Sequence, residues 1–126
     1  KIALEWDILG FSWSGHPLSL VRSKLNKAGV LPISATNKKQ VGAKVQVAGL
    51  PIRPHRPPTR SGRQVAFFSL EDETGLLDVT VFEDVYQRYG QVLFSGHPRP
   101  LLVQGYYQRR DGTLNFIARK MKVLSL

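Results

Sequence analysis

Two short runs with a period of two, held apart by one acidic turn, constrain this chain more than any other stretch. Residues 65–71 alternate around Phe68 and Leu70. Residues 76–82 alternate around Leu77, Val79 and Val81, with Asp72-Glu73-Thr74-Gly75 between the runs. Alternation on both sides of a short glycine-containing loop is the signature of a β-hairpin, here over 63–82. The second arm has an apolar face and a polar face carrying Asp78 and Thr80, so one side meets a core and the other meets water or a ligand. The first arm departs from that rule. With Ala66, Phe68 and Leu70 inward, Val65 and Phe67 point outward beside Ser69. A register one residue off would bury Phe67 and expose Phe68 instead, because a single slip turns every side chain over. The charged neighbours favour the register with Phe67 outside.

The flanking segments extend the hairpin into a sheet. Residues 44–53 read as a strand with Val45 and Val47 inward and Gly49 as a candidate bulge. Residues 54–62 form a proline-stiffened basic loop. Residues 83–90 suit a short helix, with Glu83 and Asp84 in a first turn that favours acids. Residues 101–109 and 113–123 read as two strands joined by Asp111-Gly112, a preferred hairpin turn. The expected strands are therefore 44–53, 63–71, 76–82, 101–109 and 113–123, with a helix between the third and the fourth. That order predicts a mainly β protein, a five-stranded Greek-key barrel of the OB-fold type, whose face on strands 2 and 3 and loops 1–2 and 4–5 bind oligonucleotides. A small β-domain of another topology is the competing architecture.

Before the barrel lies an expected helical lead-in and connector over 1–43, which leaves 44–126 for the barrel. Ile2, Trp6 and Leu9 recur on one helical face, and Gly10 suits its C-terminal cap. A second stripe of Leu18, Val21, Leu25 and Ala28 follows, opened by His16-Pro17 and closed by Gly29. Residues 30–43 read as a connector around Pro32 and Gly42. The aromatics Trp6, Phe11 and Trp13 read as packing. The chain begins at Lys1 in mid-pattern, which suggests a piece of something longer.

At 126 residues the chain suits one domain with a short appendage, long enough to build a core without covalent staples. It has no cysteine, which excludes disulfides, thiolate metal sites and thiol catalysis. No apolar run approaches the roughly 20 residues of a membrane helix, and no signal peptide is visible, so a cytoplasmic protein is expected. The formal charge of +9 is unevenly placed. Residues 51–63 carry Arg53, Arg56, Arg60 and Arg63 with no acid, while 64–87 hold most of the acids and no Lys or Arg. A basic surface interrupted by one acidic turn fits a polyanion docking on defined faces.

Several residues suit that partner. Phe67 offers a stacking platform, worth about 1–3 kcal/mol per base. Arg53, Arg56, Arg60 and Arg63 carry planar forks suited to phosphate, on a loop that Pro54, Pro57 and Pro58 stiffen. Arg109 and Arg110 flank the Asp111-Gly112 turn. Of the adjacent pair Tyr106 and Tyr107 only one faces outward on a regular strand, and Tyr107 is assigned to the binding face. Lys120, with Lys122, extends the patch. Glu71, Asp72, Glu73 and Asp78 sit in and beside a turn that favours Asp and Thr for local hydrogen bonds, so no metal site is expected there. His16, His55 and His97 have no partner at a catalytic spacing, and no nucleophile motif or phosphate-cradling glycine loop is present. No catalysis and no cofactor are expected of this stretch.

Leu9-Gly10-Phe11 with Ser14-Gly15-His16-Pro17-Leu18, then Val47-Ala48-Gly49-Leu50, the run 67–82 (FFSLEDETGLLDVTVF), Val85-Tyr86 and Arg88-Tyr89 together resemble the C-terminal region of the bacterial DNA polymerase III alpha subunit, a C-family replicative DNA polymerase. The resemblance covers nearly the whole chain. It implies an OB domain that engages single-stranded template for DNA replication. The DNA-directed DNA polymerase (nucleotidyltransferase) active site with its Mg would lie in a part not present here. It further implies contacts of neighbouring regions with the sliding clamp and other holoenzyme subunits, and an error-prone paralogue falls within the same resemblance. Gln91-Val92-Leu93-Phe94 faintly echoes a clamp motif but reads as barrel packing. The hairpin is also similar to anticodon-binding OB domains of some aminoacyl-tRNA synthetases, in which an aromatic matching Phe67 stacks on bases. An RNA-binding or tRNA-binding OB domain, or a protein-interaction module of the replisome, are the alternatives.

Overall fold

A computed structural model describes residues 18, 21–36, 41–94 and 99–124. Five strands close into one barrel: β1 (Lys44–His55), β2 (Ala66–Asp72), β3 (Gly75–Val81), β4 (Leu101–Arg110) and β5 (Thr113–Val123). Around the barrel they run β1-β2-β3-β5-β4. All neighbours are antiparallel except β3 and β5, which pair in parallel through Val79–Phe116 and Thr80–Ile117. The five-stranded OB-fold barrel read from the sequence is the observed architecture. Among the described residues three short helices accompany it. Of these, α1 (Arg22–Lys27) and α2 (Ile33–Thr36) precede β1, and α3 (Glu83–Tyr89) runs into a 3-10 turn (Gly90–Leu93) between β3 and β4.

The hairpin adopts the register with Phe67 outside. Ala66, Phe68 and Leu70 are buried and face Val81, Val79 and Leu77 across the β2–β3 ladder. Phe67 lies on the other face opposite Thr80, half-buried. Val45, Val47, Leu101, Val103, Phe116, Ala118 and Met121 complete the barrel interior. Val85 and Leu93 reach in from α3 and the 3-10 turn. Leu93 thus belongs to the packing, as the sequence suggested for 91–94, although Phe94 stays exposed.

Several boundaries shift for physical reasons. β1 runs on to His55 because an irregularity between Ile52 and His55 lets it keep pairing with β2. Over that step β1 advances three residues while β2 moves two, from Ser69 to Phe67, so one residue is extra. Arg53 takes a left-handed φ of 52° there, and Pro54, which has no N–H to give a ladder, fits inside the bulge. Gly49, the expected bulge, pairs regularly with Leu101. Its glycine identity has another cause: a Cβ there would come within 2.5 Å of the Glu71 carbonyl oxygen. The second strand begins at Ala66, leaving 63–65 to the loop. At the β4–β5 turn, Asp111 and Gly112 both have positive φ (52° and 77°), the type I′ geometry that their identity demands.

Over residues 30–36 the expected connector is more structured than its composition suggests. Leu31 forms a parallel bridge to Val47, and α2 follows within it. Of the second helical stripe, Leu18, Val21 and Leu25 are buried, but Ala28 is exposed past the end of α1. Leu18, Val21, Leu25 and Val30 pack on Ala48, with Leu102 and Leu124 alongside, so they cover the outside of β1 and β4. The helix and cap expected over 1–17, with Trp6, Phe11, Trp13 and the His16-Pro17 start, lie outside the described residues, as does His97. Among the described residues no helix is long and apolar enough to cross a membrane.

Candidate nucleic-acid interface

The bulge in β1 places Arg53 and His55 beside β2. His55 stacks on Phe67 with ring centroids 5.6 Å apart and planes 26° from parallel. The two rings form a ledge on the floor of a cleft of about 590 Å³. Arg53, Ser69, Asp78, Thr80, Thr113 and Asn115 line the rest of it. A smaller depression of about 180 Å³ continues past Phe67 and Thr80 to Gln108 and Arg110. Among the described residues two side-chain bonds are internal to this cleft, from the Ser69 hydroxyl to Asp78 Oδ1 at 2.7 Å and between His55 Nδ1 and the Arg53 carbonyl at 3.2 Å. The surface therefore combines flat apolar rings, hydrogen-bonding groups and two arginines, which is what stacking a base and holding its phosphate requires.

The loop between β1 and β2 is held by its own side chains. Thr59 donates from Oγ1 to the Arg63 carbonyl at 2.7 Å, and Gly62 N–H donates to the Thr59 carbonyl at 3.2 Å. Gln64 N–H donates to Glu83 on α3 at 3.1 Å. The Arg56 guanidinium lies over both Tyr86 (5.4 Å) and Phe94 (5.3 Å). These contacts fasten the loop across α3 and explain why an exposed Phe94 is tolerated. Arg56 and Arg63 flank a loop depression, and Arg60 is exposed at its turn.

The nine sequence-assigned residues divide. Arg53, Phe67 and Arg110 come together at the cleft. Arg56, Arg60 and Arg63 occupy the loop, with Arg56 already stacked, and Arg109 is exposed at the end of β4. Tyr107 is a correction. It is 6% exposed and points into the core, edge-on to Phe116 at 5.2 Å, so it cannot meet a ligand. Its hydroxyl meets Thr36 Oγ1 at 2.5 Å, while Thr36 donates to the Ile33 carbonyl at 2.8 Å, which makes Tyr107 the donor of that pair. Tyr106 takes the outward position. Lys120 is exposed but lies away from the cleft, beside Gln104. His55 and Asn115 were missed. His55 was hidden by the early end assigned to β1. Asn115 could have been found by counting outward positions back from the Asp111-Gly112 turn, since it faces Gln108.

The acidic turn has a different occupation. Asp72, 3% exposed, accepts from Ile33 N–H (2.8 Å), Thr74 N–H (2.7 Å), Thr74 Oγ1 (2.6 Å), Gly75 N–H (3.1 Å) and Arg22 Nη2 (3.1 Å). Arg22 also grips Glu73 with both prongs of its fork, at 2.7 and 2.8 Å. The hydrogen bond to Glu73 raises the Arg22 pKa above its ordinary value, against the opposing pull of burial. That stability is fully present below the ordinary arginine pKa and is lost only as pH rises through the raised one. The turn is thus a latch that joins α1 and α2 to the barrel.

A closed barrel of this strand order, with an aromatic ledge on β1 and β2, defines a class. The chain belongs to the family described as the OB-fold nucleic acid binding domain, whose model matches residues 45–124. Among full-length relatives, an error-prone DNA polymerase of Symbiobacterium thermophilum is 44% identical over 120 residues, covering 95% of this chain and 11% of that polymerase. The chain thus spans about a tenth of the curated relatives it matches. The fold is also that of asparaginyl-tRNA synthetase from Pyrococcus horikoshii (TM-score 0.59, 18% identity, 75% of this chain and 22% of that one). It is shared too by Rim1, a mitochondrial single-stranded DNA binding protein of S. cerevisiae (TM-score 0.53, 11% identity, 68% and 97%).

Proposed function

We propose that this chain is the single-stranded DNA-binding module of a C-family DNA polymerase of the error-prone type, working in the bacterial cytoplasm. Residues 1–43 serve as its lead-in and 44–126 as the binding domain, and polymerase catalysis lies outside the chain. The observation that carries the reading is the His55–Phe67 ledge at the floor of a polar cleft, with Arg53 and Arg110 beside it. A base stacks on Phe67, and Arg53 and Arg110 neutralise its flanking phosphates. Arg60 and Arg63 extend the track along the β1–β2 loop, and Arg109 does so at the β4–β5 tip. Arg56 contributes by holding the loop in place, which lowers the ordering cost of binding. The homology over nearly the whole chain to error-prone DNA polymerases supports DNA as the partner.

Fluorescence anisotropy with labelled single-stranded DNA, duplex DNA and single-stranded RNA at several salt concentrations tests this. Single-stranded DNA is expected to bind best, with a log–log salt slope of about −0.7 per phosphate contacted. Preference for RNA would turn the reading toward an RNA-binding domain. Absence of binding to all three at low salt would sink it.

A further inference from the structure

Lys120 and Lys122 lie outside the cleft, yet their setting is ordered. Between Gln104–Lys120 and Gly105–Ala118, β4 advances one residue while β5 advances two, so Arg119 is extra. With Ala118 and Met121 both buried, this bulge turns Arg119 and Lys120 outward together, and Lys122 follows. Arg119 is taken up by Asp84 at 3.3 Å. Among the described residues neither Lys120 nor Lys122 pairs with an acid. Across the ladders, Lys120 faces Gln104, which faces Gln46 on β1, and Lys122 faces Leu102. These side chains, with Tyr89 at the end of α3 and Met121 beneath, enclose a depression of about 240 Å³. It uses the first half of β1 and the last part of β5, whereas the Phe67 cleft uses their other halves. Asn115 in the cleft and Lys120 are five residues apart, roughly 17 Å along the strand.

We propose that this face is a second nucleotide subsite for single-stranded nucleic acid, separate from the Phe67 ledge. Two ammonium groups on one edge suit a phosphodiester. Two side-by-side carboxamides offer both donors and acceptors to a base edge, and Tyr89 over an apolar floor offers the base a flat contact. An acidic peptide would use the lysines alone and leave the amides and the ring without a role. The subsite rests on the proposed single-strand reading but has its own residues, so the two fail separately.

The experiment is calorimetric titration of the full 126-residue chain with a short mixed-sequence DNA oligonucleotide, followed by salt-dependent anisotropy with a longer strand. The unaltered chain should take up two short oligonucleotides. The double variant K120Q/K122Q, surface changes whose folding is checked by thermal melting, should take up one. Its salt slope with the longer strand should fall by about 1.4, two contacts at roughly 0.7 each. F67A should lose the other short-oligonucleotide site and keep the lysine face. Unchanged stoichiometry and slope in K120Q/K122Q, with F67A still weakened, overturns the second subsite and leaves the first. No binding by the unaltered chain overturns both. A polyglutamate peptide whose binding needs the lysines, with oligonucleotide stoichiometry unaffected by K120Q/K122Q, assigns the face to an acidic protein and overturns the proposal.

Discussion

The two ends of the β2–β3 hairpin carry similar polar chemistry and use it in opposite ways. At the turn, Asp72 and Glu73 are saturated by Arg22, by the backbone of α2 and by their own turn. At the other end, Phe67, Thr80 and their neighbours line an open cleft in which, among the described residues, little beyond the Ser69–Asp78 bond, the His55–Arg53 bond and the His55–Phe67 stack is internally satisfied. A polar group whose partners are all within the protein holds structure together, whereas one that faces a cleft with capacity to spare is available to a ligand. The hairpin thus joins a structural latch to a recognition surface through a few residues of rigid ladder.

The sharpest way to break this contrast is at the latch. Replacing Asp72 with alanine leaves the N–H groups of Ile33, Thr74 and Gly75 without their acceptor, and Arg22 with Glu73 alone. It should destabilise the chain by about 1–3 kcal/mol for each buried donor left without a partner. Thermal or urea unfolding would read this, and a loss below 1 kcal/mol would refute the latch. At the other end, Phe67→Ala should leave the melting temperature nearly unchanged. It should weaken single-strand binding by about 1–3 kcal/mol, or roughly 5- to 150-fold in Kd. An unfolded variant would show that Phe67 is a packing residue.

A subtler comparison sets Tyr107 against Tyr106. Tyr107→Phe removes the hydroxyl that donates to Thr36 and should cost about 1 kcal/mol of stability with no change in DNA affinity. A measurable binding defect would return Tyr107 to the interface. The smallest effect is expected at Arg56. Its alanine variant loses the cation–π contacts to Tyr86 and Phe94, worth about 0.5–1 kcal/mol at an exposed site. Faster hydrogen exchange confined to the β1–β2 loop would register it, and unchanged exchange would remove Arg56 as the loop's anchor.

Much of this fold was legible because period-two alternation reports which face is buried. Phe68 and Leu70 inside, Phe67 outside and the Asp111-Gly112 turn all follow from residue order and turn chemistry. What misled the reading was long-range. Tyr106 and Tyr107 are neighbours of equal type, and only the pairing of β4 with β5 and the approach of Thr36 decide which ring faces in. Lys120 looked like part of one basic patch because the bulge at Arg119, set by pairing with β4, has no local signature. The local hydrogen bonds of Asp72 were legible in its turn, but its clasp with Glu73 on Arg22 was not, because Arg22 lies some 50 residues earlier in the chain.

By itself the sequence determined the strand count, the hairpin register and a basic, cysteine-free chain with an outward aromatic, since each is written in local alternation, turn residues and charge. Tertiary structure alone decided which acids are locked, which tyrosine is buried, that His55 joins Phe67, and that the lysines of β5 stand apart from the arginines of the cleft. The reason is physical: alternation is a property of one strand, whereas hydrogen-bond partners and cleft walls arise only where distant strands and helices meet.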